Sequence, residues 1–559
     1  MNLLRFVALI GALVFVHELG HFAWAKAFRV KVLKFSLGFG PRVFGYRHEE
    51  TDYCVSLIPL GGFVKMLGEE PGDHVAPEDV ARSFHKQRLW KRFVIVLAGP
   101  MMSLLFPVLL YFVVFLGQTD LTAPVVGSVV PGYPAEGRLL PGDRVLAVDG
   151  RAVRSFQDVR EAIAAAPGRE LRFDVQRGEQ TATARVTPEA VRVERALDVV
   201  ETVGRAGVLA GFALPVIGVR SPTSPAGVAG LQTFDLVTMY AGAPIRRQVD
   251  LERALQASRG ATVPVGYLRP RRVEGALGGL LDLEVFDPGL AQLTPEPGNG
   301  EVLRRTGIES PDLYVADVDP DSPEYQMGLR RGARILAHDG VAPSSWERFS
   351  ERVMSAGRDL RELRFVQGGR EEQGSFSLRP TSWTDEFGQR YVRLSFDTRH
   401  WVPVEADAPI ENPSPTLYAM RAAVRETSEA MRFLSTGIVR VIQGRVSIRT
   451  VGGPIMIYDV SRSSAAEGPW GFLWLMALVS INLGLINLLP IPTLDGGHLL
   501  FFVMEGAIRR PVPLWIRQVA SVLGLTLVLG VMLLAFKNDL QRKFGNTAPI
   551  VTSAPAPGR

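Results

Sequence analysis

The chain has 559 residues, 47% of them hydrophobic and 21% charged, with a formal net charge of +5 and a mean hydropathy of +0.13. That length holds several domains, and so apolar a balance beside so many charges fits a mixture of membrane spans and polar domains. The small net charge, with no basic stripe interleaved with aromatics, argues against a nucleic-acid binder; the single Cys54 excludes an intrachain disulfide framework and any multi-cysteine zinc site.

The first expected element is an apolar span over residues 3–28, and it contains His17-Glu18-Leu19-Gly20-His21. On a helix, positions i and i+4 share a face, so the two imidazoles can grip one metal ion, with Glu18 beside them to take a proton from water. Burying two His and a Glu in lipid is costly, which makes such residues functional by default. A satisfied core helix of a soluble protein is the plain rival, and the presence of other apolar spans opposes it. A signal peptide cut after Ala23-Trp24-Ala25 would discard the motif, but Arg5 is the only basic residue before the apolar run, so the span is read as retained.

A loop rich in Lys and Arg follows, then a second span over residues 93–116 without a charge. The positive-inside rule places this loop in the cytoplasm, which puts residues 117–410 and both termini on the outer side. In that outer region three stretches resemble one another: Pro131-Gly132-Tyr133-Pro134 with Pro141-Gly142-Asp143 and Asp149-Gly150; Ser224-Pro225-Ala226-Gly227 with Phe234-Asp235 and Ala241-Gly242; and Asp321-Ser322-Pro323 with Gly332-Ala333 and Asp339-Gly340. Recurrence at such spacing signals repeated domains. The pattern resembles PDZ domains of the circularly permuted type found in bacterial proteases, with the second copy degenerate. Such domains take an extended peptide as an added strand; the alternative is a spacer that filters substrates sterically.

Residues 418–441 read as an amphipathic helix lying along the membrane surface. A third span over 470–489 ends in Asn487-Leu488-Leu489-Pro490-Ile491-Pro492-Thr493-Leu494-Asp495-Gly496-Gly497-His498, and a fourth covers 514–536. A zinc site built only from His17 and His21 lacks a third protein ligand. Asp495 and His498 both remain candidates on chemistry alone.

H-E-x-x-H in a first membrane helix, followed late in the chain by N-x-x-P-x-P-x-L-D-G, resembles the site-2 protease family of intramembrane zinc metalloproteases, in particular bacterial members with PDZ domains between the second and third spans. The resemblance covers nearly the whole chain. It implies Zn2+ held by His17, His21 and Asp495, with Glu18 as general base. It also implies substrate contacts at Gly38 and Gly40, at Gly61 and Gly62 in a re-entrant β-hairpin over residues 53–66, and at Asn487, Pro490 and Pro492. Val451-Gly452-Gly453-Pro454-Ile455 matches a family stretch before the third span. Ser103 stands where the family usually has Asn, which puts an amide-mediated helix contact in doubt.

The expected architecture is a polytopic α-helical membrane protein of about four transmembrane helices, with a re-entrant β-hairpin and inserted α+β PDZ-like domains. Its parts are an N-terminal membrane part over 1–116, PDZ-like repeats over 122–190, 210–290 and 310–382, a C-terminal membrane part over 410–545, and a flexible tail over 546–559. The resemblance implies a bacterial inner-membrane enzyme that makes the second cut in transmembrane proteins, such as anti-sigma factor remnants or leftover signal peptides. Membrane lipid and peptide ligands of the PDZ-like repeats are the other partners, with no nucleic acid. A non-catalytic PDZ-bearing scaffold is the rival, and the presence of both Glu18 and Asp495 opposes it.

Overall fold

In the computed structural model the described residues are 2–69, 75–195, 199–275, 281–355, 361–376, 381–384, 390–398, 404–445, 452–466 and 468–544. Val451 and the tail expected at 546–559 lie outside them. Among the described residues, four helices are long and apolar enough to cross a membrane: Leu4–Ala27, Leu89–Leu116, Pro469–Asn487 and Leu514–Phe544. They correspond to the four expected spans, and the last runs further, to Phe544. The chain divides into two units, residues 1–119 with 412–559, and residues 120–411.

The first unit contains helices α1 (Asn2–Ala27), α2 (Leu89–Leu116), α3 (Pro415–Ile442), α4 (Pro454–Ala466), α5 (Pro469–Asn487), α6 (Asp495–Ile508) and α7 (Leu514–Phe544). Small residues let α1 and α2 meet backbone to backbone: a Cβ on Gly20 would lie 2.4 Å from the oxygen of Ala98. Leu9 and Leu13 of α1, Leu104 and Leu110 of α2, Ala423 of α3 and Ile481 of α5 share one apolar cluster.

Helix α3, expected to lie along the membrane surface, packs its apolar face against a neighbouring helix. Phe115 of α2 meets Tyr418 edge-on near the start of α3, and Met431 and Leu434 further along α3 join the cluster of Leu9 and Leu104. The helix is therefore packed lengthwise on α2. Ala419, Ala422 and Ala423, at most 2% exposed, permit that close approach.

Two strands, β1 (Val32–His48) and β2 (Thr51–Met66), form a bent hairpin larger than the one expected. Residues 32–37 pair with 62–66 in the opposite direction and with 52–55 in the same direction, while 42–48 pair with 51–56. Residues 62–66 are thus an edge of this small sheet.

Helix α7 is held at three places. Arg517 pairs with Glu505 of α6 at 3.5 Å. Gly524 lies where a Cβ would meet Pro492 and Thr493 at 3.2 Å. Asp539, 3% exposed, accepts from the main-chain nitrogens of Gly453, Ile455 and Met456 at 3.0, 3.0 and 3.1 Å, and so caps the start of α4.

The second unit repeats one design three times. In the first copy Arg144–Val148 lies between Arg151–Ala152 and Leu171–Arg177, with Gln180–Val186 outermost; in the second, Leu236–Tyr240 lies between Ala243–Pro244 and Val263–Gly275, with Leu281–Leu293 outermost. The third keeps Arg334–His338, Arg361–Gln367 and Arg370–Phe376, with a lone bridge at Val341 in place of the short strand. The helices Phe156–Ala164, Gln248–Ala257 and Trp346–Ser355 occupy matching places, and each copy has its own apolar cluster.

Each copy runs past the boundary expected at 190, 290 or 382. Val208–Leu209, Ile308–Glu309 and Phe396–Asp397 return to pair with Ser128–Val129, Gly218–Val219 and Asp317–Val318. Strands of two residues carry too little periodicity to be seen in sequence.

The helix of the third copy packs on the first. Arg348 donates to the Gly132 oxygen at 2.8 Å and pairs with Glu189 at 2.6 Å, while Glu351 accepts from the Tyr133 hydroxyl at 2.9 Å and pairs with Arg205. Burial pushes that hydroxyl up to about 12.

Candidate metal centre

Helical spacing places His17 and His21 on one face of α1, both under 9% exposed, with their Nε2 atoms 3.3 Å apart. Asp495 is the first residue of α6, where a carboxylate suits the helix dipole. The tight turn before it needs glycine: a Cβ on Gly496 would lie 2.2 Å from the Leu489 oxygen, and one on Gly497 would lie 2.3 Å from the Ile491 oxygen. That turn carries Asp495 Oδ2 to 3.1 Å from His17 Nε2 and 3.6 Å from His21 Nε2. The three ligand-type atoms lie within 4.8 Å of one another. His498 is outside this cluster.

Two imidazole nitrogens and one carboxylate oxygen at such spacing are the donor set of a catalytic zinc site with an open position. Helix α2 orients both rings from behind. His21 Nδ1 meets the Ile95 oxygen at 2.9 Å, and His17 Nδ1 meets Ser103 Oγ at 3.0 Å. Between these contacts Gly99 clears room for the ring, since a Cβ there would lie 2.2 Å from His21 Nε2. Ile95 escapes the sequence reading, because it acts through its main-chain oxygen and any residue type could stand there; Gly99 is visible only as part of Ala98-Gly99-Pro100, which resembles the family's start of the second span, with no role attached.

Glu18 lies within electrostatic reach of His17, His21 and Asp495. The hairpin edge passes beside it: a Cβ on Gly62 would lie 3.0 Å from Glu18 Cγ and 2.7 Å from Val14 Cγ1. Gly61, at φ 123°, precedes it, and a Cβ there would strike the Phe39 ring at 2.2 Å. Asn487, the last residue of α5, brings its amide nitrogen to 3.5 Å from His17 Nε2.

Gly38 and Gly40 lie at the bend of β1 with Ile58 as their neighbour. Pro492 supports Gly497 and Gly524, and Pro490 is exposed in the turn after α5.

This arrangement has relatives. The chain is 29% identical to a "putative zinc metalloprotease" of Ralstonia nicotianae, over 97% of this chain and 99% of that one. It is 28% identical to a protein of the same description from Vibrio cholerae, over 97% and 98%. It is 27% identical to the regulator of sigma-E protease RseP of Salmonella typhimurium, over 97% and 98%. The profile of peptidase family M50 matches residues 5–531, a stretch that takes in both halves of the metal cluster and the helices that bring them together. The chain belongs to peptidase family M50.

Proposed function

We propose that this peptidase is a zinc-dependent endopeptidase that cuts transmembrane segments of other proteins within the bilayer. The observation that carries the reading is the meeting of His17, His21 and Asp495 on helices packed among membrane-length spans. In this reading the three residues are the metal ligands and Glu18 is the general base. Bound there, zinc would supply Lewis-acid polarisation of the scissile carbonyl and a water of lowered pKa.

Glu18 takes a proton from the attacking water and returns it to the leaving amine. The Asn487 amide, beside His17, donates to the substrate carbonyl region. Hydrolysis needs an extended peptide, and residues 62–66 of β2 offer an edge on which to hold one next to Glu18. Exposed Val43, Phe44, Leu57 and Ile58 at the far end of the hairpin support a re-entrant placement in the bilayer.

The repeat unit, PDZ-like in its recurring strand and helix order, lies on the outer side of the inner membrane and excludes substrates with large intact outer domains. The enzyme therefore makes a second cut, in anti-sigma factor remnants or leftover signal peptides. The name of the Salmonella relative supports the first of these classes.

Metal analysis of the purified chain tests the ligand set. About one zinc per chain is expected in the wild type and in His498→Ala, with loss in Asp495→Ala. Loss confined to His498→Ala would replace Asp495 by His498 in the account.

A further inference from the structure

The two imidazoles are backed by different acceptors. The partner of His21 Nδ1 is the main-chain oxygen of Ile95, 2.9 Å away. A carbonyl can only accept, so Nδ1 carries the hydrogen and Nε2 keeps its lone pair for the cluster. The partner of His17 Nδ1 is the Ser103 hydroxyl, 3.0 Å away. A hydroxyl can donate or accept, so the chemistry of the site must decide which.

If Ser103 donated, the His17 hydrogen would sit on Nε2, the atom 3.1 Å from Asp495 Oδ2, and that nitrogen could not ligate. Only an accepting Ser103 leaves both Nε2 atoms free together. Ser103 lies two turns beyond Ile95 on the same face of α2, and it is 0% exposed. Its main-chain oxygen accepts from Ser480 Oγ of α5 at 2.7 Å, which holds that stretch of α2 in place.

We propose that Ser103 is a positioning residue for His17: its hydroxyl oxygen accepts the Nδ1 hydrogen and turns Nε2 towards the space shared with His21 and Asp495. The role rests on the zinc reading above. Ser103 stands where the family resemblance leads one to expect Asn, and its hydroxyl makes a hydrogen bond between α2 and α1 at that position. Partners of this kind orient the ring and raise its basicity, and losing one typically weakens metal binding by about 10- to 100-fold.

The test is zinc affinity of the purified full-length chain, read by competition with a chromogenic chelator. Ser103→Ala is expected to weaken zinc retention by about 10- to 100-fold. Ser103→Thr, which keeps the hydroxyl, and Ser103→Asn, whose Oδ1 accepts the same hydrogen, are expected to stay within about threefold of wild type. Ser480→Ala is the packing control: it removes a buried hydroxyl from the same helix contact without touching His17, so it should lower thermal stability and leave zinc affinity unchanged. The assignment is overturned if Ser103→Ala binds zinc like wild type, or if Ser480→Ala loses as much affinity as Ser103→Ala. A wild-type chain that holds no zinc overturns the reading of the site itself, and the Ser103 role with it.

Discussion

Glu324 is 1% exposed, and neither oxygen of its carboxylate has a hydrogen-bond partner among the described residues. It lies in the short helix Pro323–Gln326 of the third repeat. The matching residues of the other two copies, after the same Pro, are Ala135 and Ala226, both 0% exposed. An unpaired buried carboxylate is destabilising, so Glu324→Ala is predicted to stabilise the chain by about 1–3 kcal/mol. Thermal or denaturant unfolding checks it, and a loss of stability would mean that the carboxylate is satisfied in the folded chain. Residue by residue, the repeats also account for their own departures from pattern. Asp149 Oδ1 accepts from the Arg172 nitrogen at 2.9 Å, and Asp339 Oδ1 from the Glu362 nitrogen at 2.9 Å. In the second copy Ala241 stands there, opposite Pro264, whose oxygen takes the Ala241 nitrogen at 2.9 Å but which has no N–H to give. The missing acid follows from the missing donor. Likewise Asp143 and Asp235 pair with Arg177 and Arg269, each at 2.7 Å, while the third copy has Ala333 and lets Gln367 Oε1 accept from the Arg330 nitrogen directly at 3.2 Å. In sequence these positions read only as departures from the pattern, because each acid's partner lies on another strand.

Elements are where sequence and structure diverge most. The four spans are legible because apolar runs of membrane length with so few charges seldom occur outside a bilayer. Helix α3 is not, since an amphipathic pattern states that one face is apolar and does not say whether lipid or a neighbouring helix covers it. The Gly452-Gly453-Pro454 stretch is visible as a motif, yet its partner is Asp539, on α7. Gly453 is required there, because a Cβ would lie 2.7 Å from Asp539 Oδ2 and 3.0 Å from the Ala535 carbonyl carbon. Asp539 takes three main-chain hydrogens at once, so Asp539→Ala is predicted to destabilise the first unit by about 2 kcal/mol and to expose the end of α7. Hydrogen exchange over residues 453–456 and 535–544 checks this. Unchanged protection there would mean that α7 is held by its other contacts alone.

At the scale of the whole molecule, both halves of the proposed metal site stand out in the chain, because ionisable residues within or beside apolar spans are costly unless they serve a function. Chemistry alone leaves Asp495 and His498 both open, the family resemblance favours Asp495, and the fold places Asp495 rather than His498 beside the two histidines. The repeat unit can be removed without stretching the rest. The Asn412 nitrogen donates to the Thr119 oxygen at 2.8 Å, so deleting residues 120–411 needs only a short linker. If the unit is a filter, the truncated enzyme should keep its zinc, cut substrates already shortened outside, and begin to cut long ones. A zinc-bound truncated enzyme that fails on the short form would show that the repeats recognise substrate instead.

The central claim is that this chain hydrolyses peptide bonds inside a transmembrane segment, using Glu18 as the base beside zinc. Purified full-length enzyme in proteoliposomes, given a transmembrane substrate trimmed on the outer side, tests it by mass spectrometry of the products. The account predicts a new pair of termini within the hydrophobic span, formed by wild type and absent both after zinc removal and in Glu18→Gln, which should retain about as much metal as wild type because Glu18 is not a ligand. Cleavage only in the water-exposed flanks, or a Glu18→Gln enzyme that cuts at the wild-type rate, would contradict it.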